Sequence, residues 1–166
     1  MSMYAKAPFD LDAYVRRITA GPCFICRLVA GDPSYAHHVV YEDDAAIAFL
    51  NKYPTLAGYT LVCPKAHKEQ IGAGDLTLDE HLRLQRLVFA VAEAQRRALG
   101  AERIYVLSLG SQQGNRHLHW HVAPLPPGVP PEDQQFAALD VTRGFLALPD
   151  AEMAAIASRI AAALRI

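Results

Sequence analysis

Hydrophobic and polar positions alternate most regularly in the segment "RHLHWHVAPLP", residues 116–126. Successive side chains of a β-strand point to opposite faces of a sheet, so a two-residue period indicates one polar and one apolar face. The pattern predicts a strand over residues 117–124 that the prolines at its end terminate. Its polar face carries His117, His119 and His121, and its apolar face carries Leu118, Trp120 and Val122.

Four further apolar runs, each bounded by turn residues, predict four more strands. They cover residues 37–44, 45–51, 59–64 and 103–110. Apolar residues recur at helical spacing over residues 76–99, and Gly100 supplies a C-terminal stop. Shorter helices are predicted after Asp10 and over residues 150–166. These elements predict an α+β fold: a five-stranded antiparallel sheet with one long helix, extended by helices at both termini.

The composition is that of one globular domain, to which we assign residues 1–166: 52% of the side chains are hydrophobic and 20% are charged. The 16 basic and 17 acidic side chains give a net charge of −1, which does not favour a nucleic-acid partner. No apolar run reaches transmembrane length, and the N-terminus lacks the layout of a signal peptide. We therefore expect a cytoplasmic protein without a membrane partner.

Cysteines and histidines supply the candidate chemistry. Cys23 and Cys26 form a C-x-x-C pair, a spacing compatible with zinc binding, with redox chemistry or with neither. Cys63 lies in an apolar run and is interpreted as a buried strand thiol. Three imidazoles on one strand face suit metal binding or the transfer of protons and phosphoryl groups near neutral pH. The alternative is three histidines on a half-exposed surface.

The segment "HLHWHVA", residues 117–123, resembles the signature of the histidine triad (HIT) family, in which three histidines alternate with apolar residues. Residues 41–67, "YEDDAAIAFLNKYPTLAGYTLVCPKAH", resemble the β-hairpin of that family and its strand ending in P-K-x-H. The helix over residues 76–99 falls where the family has its long helix. The resemblance covers about residues 22–127 and leaves out residues 128–166, a Pro-rich segment and a terminal helix.

The resemblance implies a nucleotide-binding hydrolase or transferase that cleaves a nucleoside 5′-phosphoryl bond, in a dinucleoside polyphosphate or a nucleoside phosphoramidate. The middle histidine, here His119, would be the nucleophile and would form a covalent nucleotidyl-histidine. His121 would be the second catalytic residue, in contact with the phosphate and the leaving group. The resemblance also implies a purine nucleotide as substrate and a homodimer that pairs through the long helix and an adjoining strand.

Some bacterial members of the family hold a zinc ion with a C-x-x-C pair, the histidine of P-K-x-H and the first histidine of the triad. The matching residues here are Cys23, Cys26, His67 and His117. Two cysteines and two histidines complete a closed tetrahedral shell, so the resemblance implies a structural zinc rather than a catalytic one.

Several substrate-binding positions follow from the resemblance or depart from it. Asn51 matches the residue that contacts the ribose hydroxyls, although it is equally suited to a turn before "KYP". Gln113 stands for the family's phosphate-binding glutamine, but Gly114 replaces the usual Ser or Thr. Asn115 or Ser111 is then a replacement donor. Tyr59 occupies the place of a common histidine in G-H-x-L-V, and the pair His37 and His38 is expected at the surface.

Two other functions compete with this interpretation. A metallohydrolase would use the three alternating histidines as catalytic ligands, together with a further ligand and an open metal position. A nucleotide-binding protein with little turnover is the second alternative, favoured by the altered segment "QQGN", residues 112–115.

Overall fold

The computed structural model describes residues 5–110 and 115–166. Its strands are β1 Lys6–Ala7, β2 Val39–Glu42, β3 Ala46–Leu50, β4 Thr60–Pro64, β5 Arg103–Leu107, β6 Trp120–Leu125 and β7 Phe145–Leu146. Its helices are α1 Leu11–Ala20, α2 Phe24–Val29, α3 Leu78–Leu99, α4 Gln134–Leu139 and α5 Asp150–Ala163. Five strands form one antiparallel sheet in the order β2-β3-β4-β6-β5. The predicted α+β fold with a five-stranded sheet, a long helix and additional helices is confirmed.

The long helix α3 begins two residues later than predicted because Thr77 caps it. The Thr77 hydroxyl accepts a hydrogen bond from the Glu80 amide, and the Glu80 carboxylate accepts one from the Thr77 amide. This reciprocal capping box satisfies amide groups that the first helical turn leaves unpaired. At the other end Gly100 adopts a left-handed conformation with φ 66°, which a glycine adopts without steric cost.

Residue parity divides the sheet into a helix-covered face and a functional face. Even-numbered residues of β3, β4 and β6 point toward α3 and α5, with Leu118 and Trp120 in the same cluster. Odd-numbered residues of these strands point to the opposite face. They pack there against Ile25 of α2 and Ala138 of α4. The histidines at positions 117, 119 and 121 have odd parity and project on this second side.

The side chain of Gln95 fixes the two central strands from the helix side. It is fully buried on α3, and its Nε2 donates to the carbonyl oxygens of Gly58 and Val122 at 2.9 and 3.0 Å. The same nitrogen lies 3.0 Å from the hydroxyl of Thr60. Buried polar groups of this kind are costly unless paired, so these contacts define how β4 and β6 lie against the helix.

The strand predicted over residues 117–124 is wrong at both ends, because β6 spans Trp120–Leu125. Before Trp120 the backbone leaves the ladder: the Leu118 amide donates to the Lys68 carbonyl in the segment after β4, at 2.6 Å. At the other end the strand continues through Pro124, which lies past the last pair with β4, Thr60 and Val122. A proline is tolerated there because the strand has a neighbour on one side only.

The terminal segments are fastened to the sheet more extensively than the sequence indicated. Residues 128–149, expected as a Pro-rich connection, contain α4 and β7. The Ala138 carbonyl accepts a hydrogen bond from Thr55, and β7 pairs with β1 near the N-terminus. His38 contacts Asp150 at the start of α5 at 2.8 Å. Across residues 5–110 and 115–166, no helix combines the length and apolarity needed to span a membrane.

Candidate functional site

Four ligand atoms meet where α2, the segment after β4 and the segment before β6 converge. Sulfur and nitrogen donors of Cys23, Cys26, His67 and His117 all lie within 4.8 Å of one another. The Sγ of Cys23 lies 3.4 Å from Nδ1 of His117, and the Sγ of Cys26 lies 3.3 Å from Nδ1 of His67. Cys23 also caps α2, so the short helix orients the pair of thiols. We call these four residues the Cys–His cluster.

The Cys–His cluster fits a tetrahedral zinc ion by donor set and by geometry. Zinc–sulfur and zinc–nitrogen bonds of 2.3 and 2.0–2.1 Å at tetrahedral angles give sulfur–nitrogen separations of about 3.6 Å, close to those found. Nε2 of His117 lies 2.8 Å from the Pro64 carbonyl, and Nε2 of His67 lies 3.2 Å from the Glu69 carboxylate. Such bonds place the proton on Nε2 and leave Nδ1 free for a metal.

His119 lies two residues further on and faces a different environment. The ring is 5% exposed, and Nδ1 lies 2.7 Å from the carbonyl oxygen of His117. Because a carbonyl only accepts, Nδ1 carries the proton and Nε2 keeps its lone pair. Burial lowers the pKa of His119, opposed in part by this hydrogen bond. The side chain of His119 is therefore a neutral imidazole in which Nε2 is the basic nitrogen.

The ring of His121 packs edge-to-face against that of His119, with the two ring centroids 4.6 Å apart. Burial, and to a smaller extent the neighbouring His119, lowers the pKa of His121 to about 3. Nδ1 of His121 lies 3.2 Å from the hydroxyl of Tyr59, and burial raises the pKa of that phenol. A phenol is a stronger donor than acceptor toward an imidazole nitrogen, so we assign the proton of this hydrogen bond to the Tyr59 hydroxyl and the proton of His121 to Nε2.

Both rings open into a cavity of about 370 Å³ that also exposes Asn51 and Asn115. Asn51 makes the predicted turn, because its Oδ1 accepts from the Tyr53 amide at 3.0 Å, and it lines the cavity as well. Oδ1 of Asn115 accepts from the His117 amide at 3.3 Å. Nδ2 of Asn115 is buried without a partner among the residues that the structure describes, and is a candidate donor to a ligand.

Some of the remaining predicted site residues lie outside the described part of the chain, and one lies in a different environment from the one expected. Gln113, Gly114 and Ser111 lie outside the described residues. His37, expected at the surface, is half-buried in the cavity wall, where its ring stacks on Phe24 with centroids 5.7 Å apart. Burial lowers the pKa of His37.

Sequence reasoning also missed the wall that α1 contributes to the cavity, including Tyr14 and Arg17. The signal that identifies it is the aromatic spacing in "FDLDAYVRR", residues 9–17, which gains meaning only when the segment is seen against Tyr53.

An antiparallel sheet with a long helix on one face and alternating histidines on the other defines the class of histidine triad proteins. Residues 33–127, more than half of the chain, match the family model of the HIT domain. The chain therefore belongs to the HIT family. Membership supports a role of the nucleotide-binding hydrolase or transferase kind.

Relatives and solved structures agree with this assignment. An uncharacterized HIT-like protein of Saccharolobus solfataricus is 34% identical over 106 residues, which are 61% of this chain and 73% of that protein. A hypothetical histidine triad nucleotide-binding protein of Sulfolobus tokodaii superimposes with a TM-score of 0.68 at 25% identity, covering 85% of this chain and 91% of the other. A zinc-bound histidine triad protein of Mycobacterium smegmatis gives 0.64 at 25% identity, with the same coverages.

Proposed function

We propose that this protein is a nucleotidyl hydrolase or transferase that forms a covalent nucleotidyl-histidine at His119. The observation that carries the proposal is the bond from Nδ1 of His119 to the His117 carbonyl, because it directs a basic Nε2 away from the backbone. A buried imidazole that is neutral and fixed in one tautomer is a competent nucleophile near neutral pH.

In the first step Nε2 of His119 attacks the α-phosphorus of a nucleotide. A nitrogen–phosphorus bond forms, the bond to the leaving group breaks, and the leaving group takes the electron pair. A phosphate leaves as its oxyanion, whereas an amine takes up a proton from solvent as it leaves. The imidazole keeps its Nδ1 proton throughout, and the His117 carbonyl stabilises the positive charge that develops on the ring. In the second step water attacks the phosphorus: an oxygen–phosphorus bond forms, the nitrogen–phosphorus bond breaks, and the imidazole regains its electron pair. One of the two water protons is released to solvent, and the other stays on the product phosphate until it exchanges.

His121 acts as a hydrogen-bond donor through Nε2–H, held in that tautomer by Tyr59. It stabilises charge on the phosphoryl oxygens and the leaving group without giving up its proton, since a neutral imidazole is a very weak acid. Asn115 Nδ2 is a second donor to the phosphate, and Gln113 a third. The ribose hydroxyls meet Asn51, and a purine base lies toward the rings of Phe24 and His37.

The Cys–His cluster holds a zinc ion in this proposal, supported by its donor geometry and by the zinc-bound relative. Zinc in a closed shell supplies cross-linking rather than Lewis-acid chemistry. Cys23 and Cys26 connect α2 to the segment that carries His117, whose carbonyl orients the nucleophile. The cluster is therefore structural, and it acts on the reaction by positioning His119.

The metallohydrolase alternative requires the three histidines to converge on one ion. Within the described chain the four-ligand cluster includes His117 but neither His119 nor His121, whose rings face the cavity instead. The geometry thus favours the nucleotidyl-histidine over a catalytic metal. The second alternative, nucleotide binding with little turnover, is distinguished by measuring turnover and adduct formation.

Turnover is tested on three substrate classes: dinucleoside polyphosphates, nucleoside phosphoramidates and adenylylated small molecules, with His119→Ala as control. We expect turnover of at least one class by the wild type, and base-stable label on His119 after quenching with a radiolabelled substrate. Nucleotide binding without turnover or adduct in all three classes would establish a binding protein instead.

We also propose a homodimer that pairs through α3 and β5. The edge strand β5 exposes Val106 at 46%, and α3 exposes Leu78, Leu82 and Phe89 at 71, 46 and 70%. On the same helix, Nε2 of Gln85 is buried and unpaired within the described chain. Sedimentation equilibrium should give twice the chain mass for the wild type and a shift toward the monomer for Phe89→Arg. The variant Arg86→Glu, which changes the charge at a neighbouring helical position, tests the effect of charge alone.

A further inference from the structure

The N-terminal helix α1 forms one wall of the cavity that contains His119 and His121, although it lies outside the residues that match the HIT model. Its contribution includes the side chains of Tyr14, Arg17 and Ile18. The family model does not cover α1, so the chemistry of this wall follows from the residues of this chain alone.

The position of α1 is built from three distant segments. Phe9, just before the helix, and Tyr14 pack on Tyr53, with ring centroids 5.3 and 6.0 Å from it. Phe145 of the C-terminal strand β7 completes this cluster at 5.2 Å from Tyr53, and β1 pairs with β7. The contacts of Tyr14 and Phe145 with Tyr53 are edge-to-face, and such packing defines ring positions and contributes to stability. The wall is therefore an organised part of the fold.

On this wall the guanidinium of Arg17 lies over two aromatic rings, 5.5 Å from the centroid of Tyr14 and 5.9 Å from that of Tyr53. Nη2 contacts the Tyr53 hydroxyl at 3.3 Å. No carboxylate in residues 5–110 or 115–166 forms an ion pair with Arg17. A guanidinium has five donors, so stacking on the rings holds the group while most donors remain for a ligand.

The permanently charged side chains among the described residues of the cavity wall are all positive. Arg17 and Lys52 are its two permanent cations, and no Asp or Glu is found among its described lining residues. The histidines of the site are neutral, and the whole chain carries a net charge of −1. Two uncompensated cations in one cavity create a local positive potential that favours an anionic ligand.

We propose that Arg17 and Lys52 form an anion subsite for the phosphates that lie beyond the phosphorus attacked by His119. The inference rests on the proposed function and narrows its substrate class. A nucleotide whose leaving group is itself a phosphate or polyphosphate gains charge-assisted hydrogen bonds from these two residues, whereas a neutral amine leaving group gains none. The subsite therefore selects phosphoric anhydrides over phosphoramidates.

Calorimetric titration tests the subsite with ligands that differ only in phosphate number. Wild-type protein is titrated with AMP, α,β-methylene-ADP and α,β-methylene-ATP, which resist cleavage at the α-phosphorus, without added divalent cations. We expect affinity to rise about 10-fold or more from AMP to the triphosphate, as charge-assisted hydrogen bonds contribute, and to fall again as salt is added.

Variants assign the effect to the two cations. Arg17→Gln and Lys52→Gln should each reduce the gain from AMP to the triphosphate by about 5-fold or more, with AMP affinity within about 2-fold of wild type. Arg17→Lys should retain part of the gain. Arg16→Gln removes the neighbouring charge of the same helix outside the cavity wall and should leave the gain unchanged.

The outcomes separate the subsite from the proposed function. If the wild type binds none of the three nucleotides, the proposed function fails. If AMP binds and further phosphates add no affinity, the subsite is wrong while the proposed function stands. An Arg17→Gln variant that weakens AMP and the triphosphate equally would assign Arg17 to the nucleoside or to the placement of α1, and would also overturn the subsite.

Discussion

His117 and His119 are the same residue type, two positions apart and both buried, yet they belong to regions with different chemistry. His117 turns Nδ1 toward two sulfurs, with Nε2 bonded to the Pro64 carbonyl. His119 turns Nδ1 to the His117 carbonyl and leaves Nε2 for the cavity. The acceptor available to each ring fixes which nitrogen is left without a proton, and in our proposal this difference separates a metal ligand from a nucleophile.

The two regions are in direct contact, because the carbonyl group that orients the ring of His119 belongs to His117. Coupling should therefore be one-sided. Loss of the Cys–His cluster disturbs the residue that carries the carbonyl, whereas loss of the His119 ring removes nothing from the cluster.

The largest effect is expected from His119→Ala, which removes the proposed nucleophile and with it the proposed covalent path. Turnover should fall by about four orders of magnitude or more, as observed when a covalent catalyst loses its nucleophile. Zinc content, by elemental analysis, and AMP affinity, by calorimetry, should stay within about 2-fold of wild type because neither depends on that ring. Residual turnover near the wild-type level would show that the reaction proceeds by direct displacement.

The reciprocal change is Cys23→Ser with Cys26→Ser, which removes two soft ligands from the cluster. The zinc that we propose for the cluster should be lost, and the midpoint of thermal unfolding should fall by about 10 °C or more, because a tightly bound metal stabilises the folded state. Activity should also decline, since the His117 carbonyl is less well held.

Cys63→Ser is the matched control for the cysteine pair. Cys63 is fully buried on β4 but is no member of the cluster, so this variant should keep one zinc per chain. Zinc retained in the double variant would contradict the assignment of the cluster as a metal site.

A smaller and more specific effect is expected from Tyr59→Phe, which removes the hydroxyl that sets the tautomer of His121. Loss of one hydrogen bond of this kind should reduce kcat by about 10-fold for substrates with poor leaving groups, with little change in KM. Substrates with activated leaving groups should be affected less, because they need less stabilisation by Nε2–H.

Nitrogen NMR distinguishes this role of Tyr59 from a structural one. In the wild type the protonated nitrogen of His121 should be Nε2, and in Tyr59→Phe a mixture of tautomers should appear. A uniform loss of activity for all leaving groups, with the tautomer unchanged, would show that Tyr59 only supports packing.

Much of this arrangement was predictable from the sequence because it depends on short-range patterns. The strand alternation and the helical period of α3 are local signals, and they predicted the sheet and the long helix. The grouping of Cys23 and Cys26 with His67 and His117 followed from the family resemblance, because the C-x-x-C spacing alone is compatible with zinc binding, with redox chemistry or with neither. The start of β6 was not predictable, because the Leu118 amide pairs with Lys68 and so leaves the ladder.

The cavity wall was not predictable for a related reason. Arg17 and His37 line the cavity because segments that are far apart in the chain pack together. The sequence around their partners, Tyr53 and Phe24, contains no pattern that predicts these contacts. The C-terminal strand β7 is similar, since its partner β1 lies near the other end of the chain. Such contacts depend on tertiary packing rather than on local periodicity.

The smallest effect concerns stability in mild acid and isolates the His121 side of the comparison. The folded-state pKa of His121 is about 3, lowered mainly by burial, and its ordinary value is 6.5. Between these values the unfolded chain binds more protons than the folded one, so the stabilisation is complete above pH 6.5 and declines as the pH falls toward 3. From pH 7.5 to 5 the melting temperature of the wild type should fall by about 2–6 °C more than that of His121→Gln, which does not titrate there. The variant retains the Cys–His cluster, so the protonation of the cluster's ligands cancels in the difference. Equal decreases for the two proteins would show that His121 titrates alike in the folded and unfolded states and would remove the basis for a neutral Nε2–H donor.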